Sequence, residues 1–145
     1  MAPSPFIAIV RLTLLEARRT RLPVALAMLV AATLGLGAFM GAMAVTDAGA
    51  VRVGVMAGLL RLGGVALTAL FVVGSVHREL AGRTTEMLLS LPLSRSAYYL
   101  ARLSGFATTA VAVAAVATVV ALLQAEPGAA AAWGVSLAAE LVLVA

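Results

Sequence analysis

The amino-acid sequence predicts an all-α protein: a polytopic bundle of transmembrane helices, with an interfacial helix before the first span and a polar helix between the second and third. Three observations predict it. Of 145 residues, 63% are hydrophobic and only 11% charged, whereas soluble domains run near half apolar and about a quarter charged. Such a surplus cannot be hidden in the core of so short a chain, which makes lipid its solvent. The apolar residues fall in runs near the roughly 20 residues that cross a bilayer. The polar residues gather between those runs, chiefly in 76–106, which holds four of the ten arginines, two of the six acids and the only His. Residues 1–145 therefore read as one transmembrane domain.

The chain opens Met-Ala-Pro-Ser-Pro, a poor helix start, and a helix is expected over 6–20. Its first half is apolar; Arg11, Glu16, Arg18, Arg19 and Arg21 spread around the helical wheel, so it is not cleanly amphipathic. It reads equally as an interfacial helix with arginines at the lipid headgroups and as an extension of the next helix. Residues 22–45 carry no charge and form the first span. Arg18-Arg19-Thr20-Arg21-Leu22 looks like an export signal and Gly41-Ala42-Met43-Ala44 like a cleavage site, but the apolar run exceeds the roughly 7–15 residues of a signal. Gly37 and Gly41 are spaced for close helix approach. After a turn over 46–52, the second span covers 53–76, interrupted by Arg61. The third is expected over 97–123, and the fourth, with Glu140 inside it, over 129–145. The hydrophobic run stops at Ala145 without a cap, which reads as a truncated chain.

Orientation follows from arginine. Arg11, Arg18, Arg19, Arg21, Arg78, Arg83, Arg95 and Arg102 lie on one side, and only Arg52 and Arg61 belong to the other. Eight against two places the N-terminus and the polar island in the cytoplasm of a multi-pass protein of the plasma or inner membrane. Tyr98, Tyr99 and Trp133 then fall at interfaces, where aromatic residues anchor.

Composition also limits the chemistry. Without Cys there are no disulfides or thiolate metal sites. The net charge of +4 sits beside apolar runs instead of along a basic stripe, so a nucleic-acid partner is not expected. Met28, Met40, Met43 and Met56 hint at soft copper ligands but fit better as apolar filler. No catalytic constellation, metal cluster or cofactor motif is apparent. Arg61 and Glu140 are the ionisable residues within spans, where charge is costly and often functional. They are expected to pair or to line a watery cavity; otherwise Arg61 snorkels outward and Glu140 bonds a neighbouring helix.

The island reads as a helix over 78–91. Glu79 and Arg83 stand four apart, Arg83 and Glu86 three apart. Leu80, Thr84, Met87, Leu88 and Leu91 form the other face, and Pro92 ends the helix. It could lie flat on lipid, but Glu79 and Glu86 are not drawn to an anionic leaflet and suit a basic partner groove.

Arg78-Glu79, Arg83-Thr84, Glu86, Leu88-Leu89, Leu91-Pro92, Ser94-Arg95, Tyr98 and Arg102 to Gly105 together resemble the cytoplasmic loop of type 2 ABC transporter permeases, with Arg102 where the family usually has Lys. The segment Leu-Thr-Leu-Leu-Glu-Ala-Arg-Arg-Thr-Arg resembles the family's opening. The resemblance implies a permease subunit of an ABC exporter, with a reclined N-terminal helix and more spans than are present here. It implies that 78–91 is a coupling helix, docked through Arg78, Glu79, Arg83, Thr84, Glu86, Leu88, Pro92 and Arg95 on a separate ATPase subunit, and that a second permease copy completes the transporter. The chain has no Gly-x-x-x-x-Gly-Lys-Ser/Thr motif, so ATP hydrolysis is expected in the partner. The alternative is a small membrane scaffold that recruits another cytoplasmic partner through the same loop.

Overall fold

A computed structural model describes residues 5–81 and 95–145, with side chains for 7–81 and 96–145. Most of the expected coupling helix, including Arg83, Thr84, Glu86 and Leu88, lies outside the described residues, as do Pro92 and the Arg95 side chain.

Five helices follow in order: α1 (Pro5–Arg19), α2 (Leu22–Met43), α3 (Ala48–Ala81), α4 (Arg95–Leu122) and α5 (Pro127–Val144). The last four are long and apolar enough to cross a membrane. They leave large apolar side chains exposed, among them Met28, Leu62, Leu70, Val135 and Leu143. The molecule is thus built as a multi-pass membrane protein.

The boundaries have local causes. Thr20 and Arg21 separate α1 from α2, and Pro23 stands in the first turn of α2, where a missing N–H costs nothing. α1 is therefore a helix of its own, packed mainly against α4, and not a straight extension of α2. The turn after α2 is shorter than its sequence implies, because α3 begins at Ala48 and already contains Arg52. Asp47 adopts a positive φ of 51° there, a region that Asp tolerates better than most residues. At the far end α3 runs without a break to Ala81. Arg78 and Glu79 are thus the last turns of a spanning helix, where a separate helix starting at 78 was expected. With 34 residues, α3 is about 51 Å long and overhangs a hydrocarbon core of about 30 Å.

Small residues bring the helices together. A side chain on Gly37 would collide with Met56, and one on Gly41 would meet Ala48 O at 3.1 Å and Arg52 Cβ at 3.2 Å. The Gly37/Gly41 pair thus seats α2 on α3 within the chain, and Met56 fills the space above Gly37. Thr13 of α1 closes over Gly105 of α4, and Thr118 of α4 over Gly134 of α5. Close approach of this kind holds helices together where lipid removes the hydrophobic advantage of association. One core unites Leu26, Ala110, Val113, Ala114, Ala117, Leu137 and Leu141 from α2, α4 and α5. A second joins Ala17, Phe71 and Phe106 from α1, α3 and α4. α4 is common to both.

Candidate functional site

The second core carries a polar knot at its edge. Thr13 and Glu16 lie one turn apart on α1; Ser75, Arg78 and Glu79 share a face of α3; Tyr98 and Arg102 share a face of α4. Arg102 is the centre. Its Nη1 donates to Thr13 Oγ1 at 2.9 Å, and its Nη2 to Ser75 Oγ at 2.5 Å and Glu16 Oε2 at 3.1 Å. The same Nη2 lies 2.8 Å from Glu79 Oε1, which also accepts from the Tyr98 hydroxyl at 3.2 Å. Glu16 Oε1 accepts from Ser75 Oγ and from Arg78 Nη2, both at 2.9 Å. Ser75 thus donates to a carboxylate and accepts from a guanidinium, using both capacities of its hydroxyl.

The guanidinium of Arg102 also stands 4.8 Å from the Phe106 ring centroid. That ring meets Phe71 edge-on at 6.0 Å. The knot is therefore stacked on the apolar core. The Arg102 side chain is only 12% exposed and that of Arg78 52%, so Arg78 is the solvent-side member. Two arginines balance two glutamates. Burial pushes the Glu16 carboxyl up, but hydrogen bonds from Arg78 and Ser75 and the charge of Arg102 outweigh it and hold the carboxyl below its usual range. A pocket of about 340 Å³ opens beside these residues, lined by Ile9 and Leu12 of α1 as well as by the knot.

A second polar feature lies within the spans. Arg61 Nε donates to Glu140 Oε2 at 2.7 Å, and Arg61 Nη2 to Glu140 Oε1, a bidentate pair joining α3 to α5. Ser136, one turn before Glu140, accepts from Arg61 Nη2 at 3.2 Å. The two side chains are 37% and 43% exposed, so this pair sits on the bundle's flank. Arg61 therefore reaches sideways to α5 instead of snorkelling outward.

Of the residues singled out in the sequence, the structure joins Arg61 to Glu140, and Arg78 and Glu79 to one knot. It turns the Glu79 carboxylate towards Arg102 and Tyr98 within the chain. Thr13, Glu16, Ser75, Tyr98 and Arg102 were not expected to form a centre. Their signal was the helical spacing Thr13/Glu16, Ser75/Glu79 and Tyr98/Arg102, each at the boundary of an apolar run. Nothing in the sequence aligns these three segments.

Comparison with protein-family models, with curated proteins and with solved structures finds no match for this chain. Fold and site define a class, a multi-pass α-helical membrane protein whose first helix is tied by a charged knot to the facing ends of two spans.

Proposed function

We propose that the chain is a permease subunit of an ATP-driven ABC transporter, moving its substrate with energy from a separate ATPase subunit. The observation that carries this reading is the Arg102 knot. The 82–94 segment connects α3 to α4, and the knot binds the ends of both helices to α1. A partner pushing on that segment would move two spans and the first helix as one lever. The resemblance of the loop to the permease family supplies the partner. In this reading Arg83, Thr84, Glu86, Leu88, Pro92 and Arg95 meet the ATPase subunit, while Arg78 and Glu79 anchor the base. The arginine asymmetry supports a cytoplasmic N-terminus and loop. A second permease copy completes the pathway, and the chain itself has no catalytic role.

The test is co-purification with the ATP-binding-cassette subunits encoded in the same genome. Wild type should retain one of them, and an Arg83→Glu/Glu86→Arg variant that still inserts in the membrane should lose it. Retention unaffected by the reversal, or no retained ATPase with wild type, defeats the reading.

A further inference from the structure

α1, α2 and α4 enclose an apolar groove of about 510 Å³ with Arg11 and Arg18 on its edge. That volume is in the range of sites that hold small molecules, about 300–1,000 Å³. Arg11, Leu14, Leu15 and Arg18 follow the spacing of one helical face, so α1 presents two cations with two leucines between them. The remaining wall is apolar apart from Thr109, and includes Leu26 of α2 and Ala112 and Val116 of α4. The arginines stand seven residues apart, about 10 Å along the helix.

Both are without an acidic partner among the described residues, whereas Arg61, Arg78 and Arg102 are all paired. Glu16 is the only acid on α1, and its carboxylate is taken by Arg78 and Arg102. The groove thus combines two arginines of α1 that have no acidic partner among the described residues with an apolar channel running beside the first span. Zwitterionic lipid would leave the charge unmatched, and a soluble anion would leave the channel empty.

We infer that this groove binds an anionic glycerophospholipid, its phosphate between Arg11 and Arg18 and an acyl chain along α2 and α4. Such a lipid neutralises Arg11 and Arg18 and fills the gap between α1 and the spans. The inference needs only the membrane setting of α2–α5 and is independent of the transport reading.

Native mass spectrometry of the full chain, purified in detergent and equilibrated with equal phosphatidylglycerol and phosphatidylcholine, tests it. Wild type should retain phosphatidylglycerol preferentially, at one molecule per chain. Arg11→Ala/Arg18→Ala should lower the preference roughly thirtyfold, as expected for removing two arginines from an anionic headgroup at about a factor of five each. Arg11→Lys/Arg18→Lys should keep most of it, and Arg19→Ala, outside the groove, all of it. Ala112→Trp, which fills the channel and leaves both charges, should also lower retention. Excess inorganic phosphate should not displace the lipid. Equal retention of the two lipids by wild type, an unchanged preference in the double alanine variant, displacement by phosphate alone, or a lipid-free dimer in place of the lipid-bound chain would each overturn the proposal. Should the double alanine variant fail to fold, the Ala112→Trp and lysine variants decide it between them.

Discussion

Arg102→Ala is the sharpest perturbation of the knot. It removes the donor shared by Thr13, Ser75 and Glu16, the cation beside Glu79, and the charge over Phe106. Deleting one member of a fully buried ion pair costs about 3–5 kcal/mol, while exposed pairs contribute about 0–1 kcal/mol. Here the cation is 12% exposed and the two carboxylates 27% and 28%, and Arg78 still serves Glu16. The expected loss is therefore intermediate, about 2 kcal/mol, or roughly a thirtyfold change in the folding equilibrium. Arg102→Lys keeps the charge but not the planar fork that reaches three helices, so about half the loss should remain. Reversible unfolding in mixed micelles measures both. The chain has no Cys, so spin labels at Leu12→Cys and Leu103→Cys, positions 62% and 60% exposed, report whether α1 stays on α4. The distance distribution should broaden in Arg102→Ala. A stability change below about 0.5 kcal/mol, the level of ordinary surface substitutions, with an unchanged distance distribution, would refute the claim that Arg102 holds α1 to the spans.

The same knot should be acid-sensitive. The Glu16 carboxyl lies below its ordinary value of 4.5, so its contribution is complete above that value and fades as pH falls through the lower folded value; the Leu12/Leu103 distance should broaden there in wild type and show no such step in Glu16→Gln. Within the spans, Arg61→Glu and Glu140→Arg each put like charges together and should sharply reduce folded protein in detergent. The combined swap should recover most of it, and a swap no better than either single reversal would show that pairing is not what these residues supply. Gly37→Leu should destabilise α2–α3 packing by about 1–3 kcal/mol through collision with Met56, while Gly35→Ala, with open space around it, should be neutral or stabilising by about 0.5–1 kcal/mol through helix propensity. Equal melting temperatures for the two variants would contradict the packing.

The spans were legible because burial in lipid is written in composition, and composition needs no partner. Residues 22–45 read as a span by the absence of charge alone, and the helix found there is Leu22–Met43. Helix ends were less legible. The sequence implies a break near His77, where hydropathy changes, but backbone hydrogen bonding in α3 does not respond to polarity and continues to Ala81. Arg61 and Glu140 could be matched across 79 residues because each is a lone charge in its span and such groups have few possible partners. The knot was not legible for the opposite reason. At the membrane boundary Glu16, Arg78, Glu79 and Arg102 could all face water, so sequence gives none of them a reason to seek another. What selects the arrangement is packing: Thr13 closes on Gly105 and Phe106 on Phe71, and the charged groups one turn away are brought into range.

In the permease reading proposed for this chain, this dependence of polar geometry on packing bears on how a push on the loop would be passed on. Arg102 is two turns from Arg95 on α4, and Glu79 closes the far end of α3. Both helix ends therefore enter the 82–94 segment already coupled to each other and to Glu16. Were the segment joined to the spans by unpaired, solvated ends, a push on it would be absorbed by fraying of the terminal turns. With Arg102 fixed by Thr13, Ser75 and Glu16, fraying must break several charge-assisted contacts at once, and rigid movement of α1, α3 and α4 becomes the less costly response. The Arg61–Glu140 pair extends this unit further along α3 to α5, whose Leu137 and Leu141 pack in the apolar core. A bidentate ion pair on the flank of the bundle gives that helix a fixed register on α3, so displacement at the charged end of α3 would be carried to the fourth span as well.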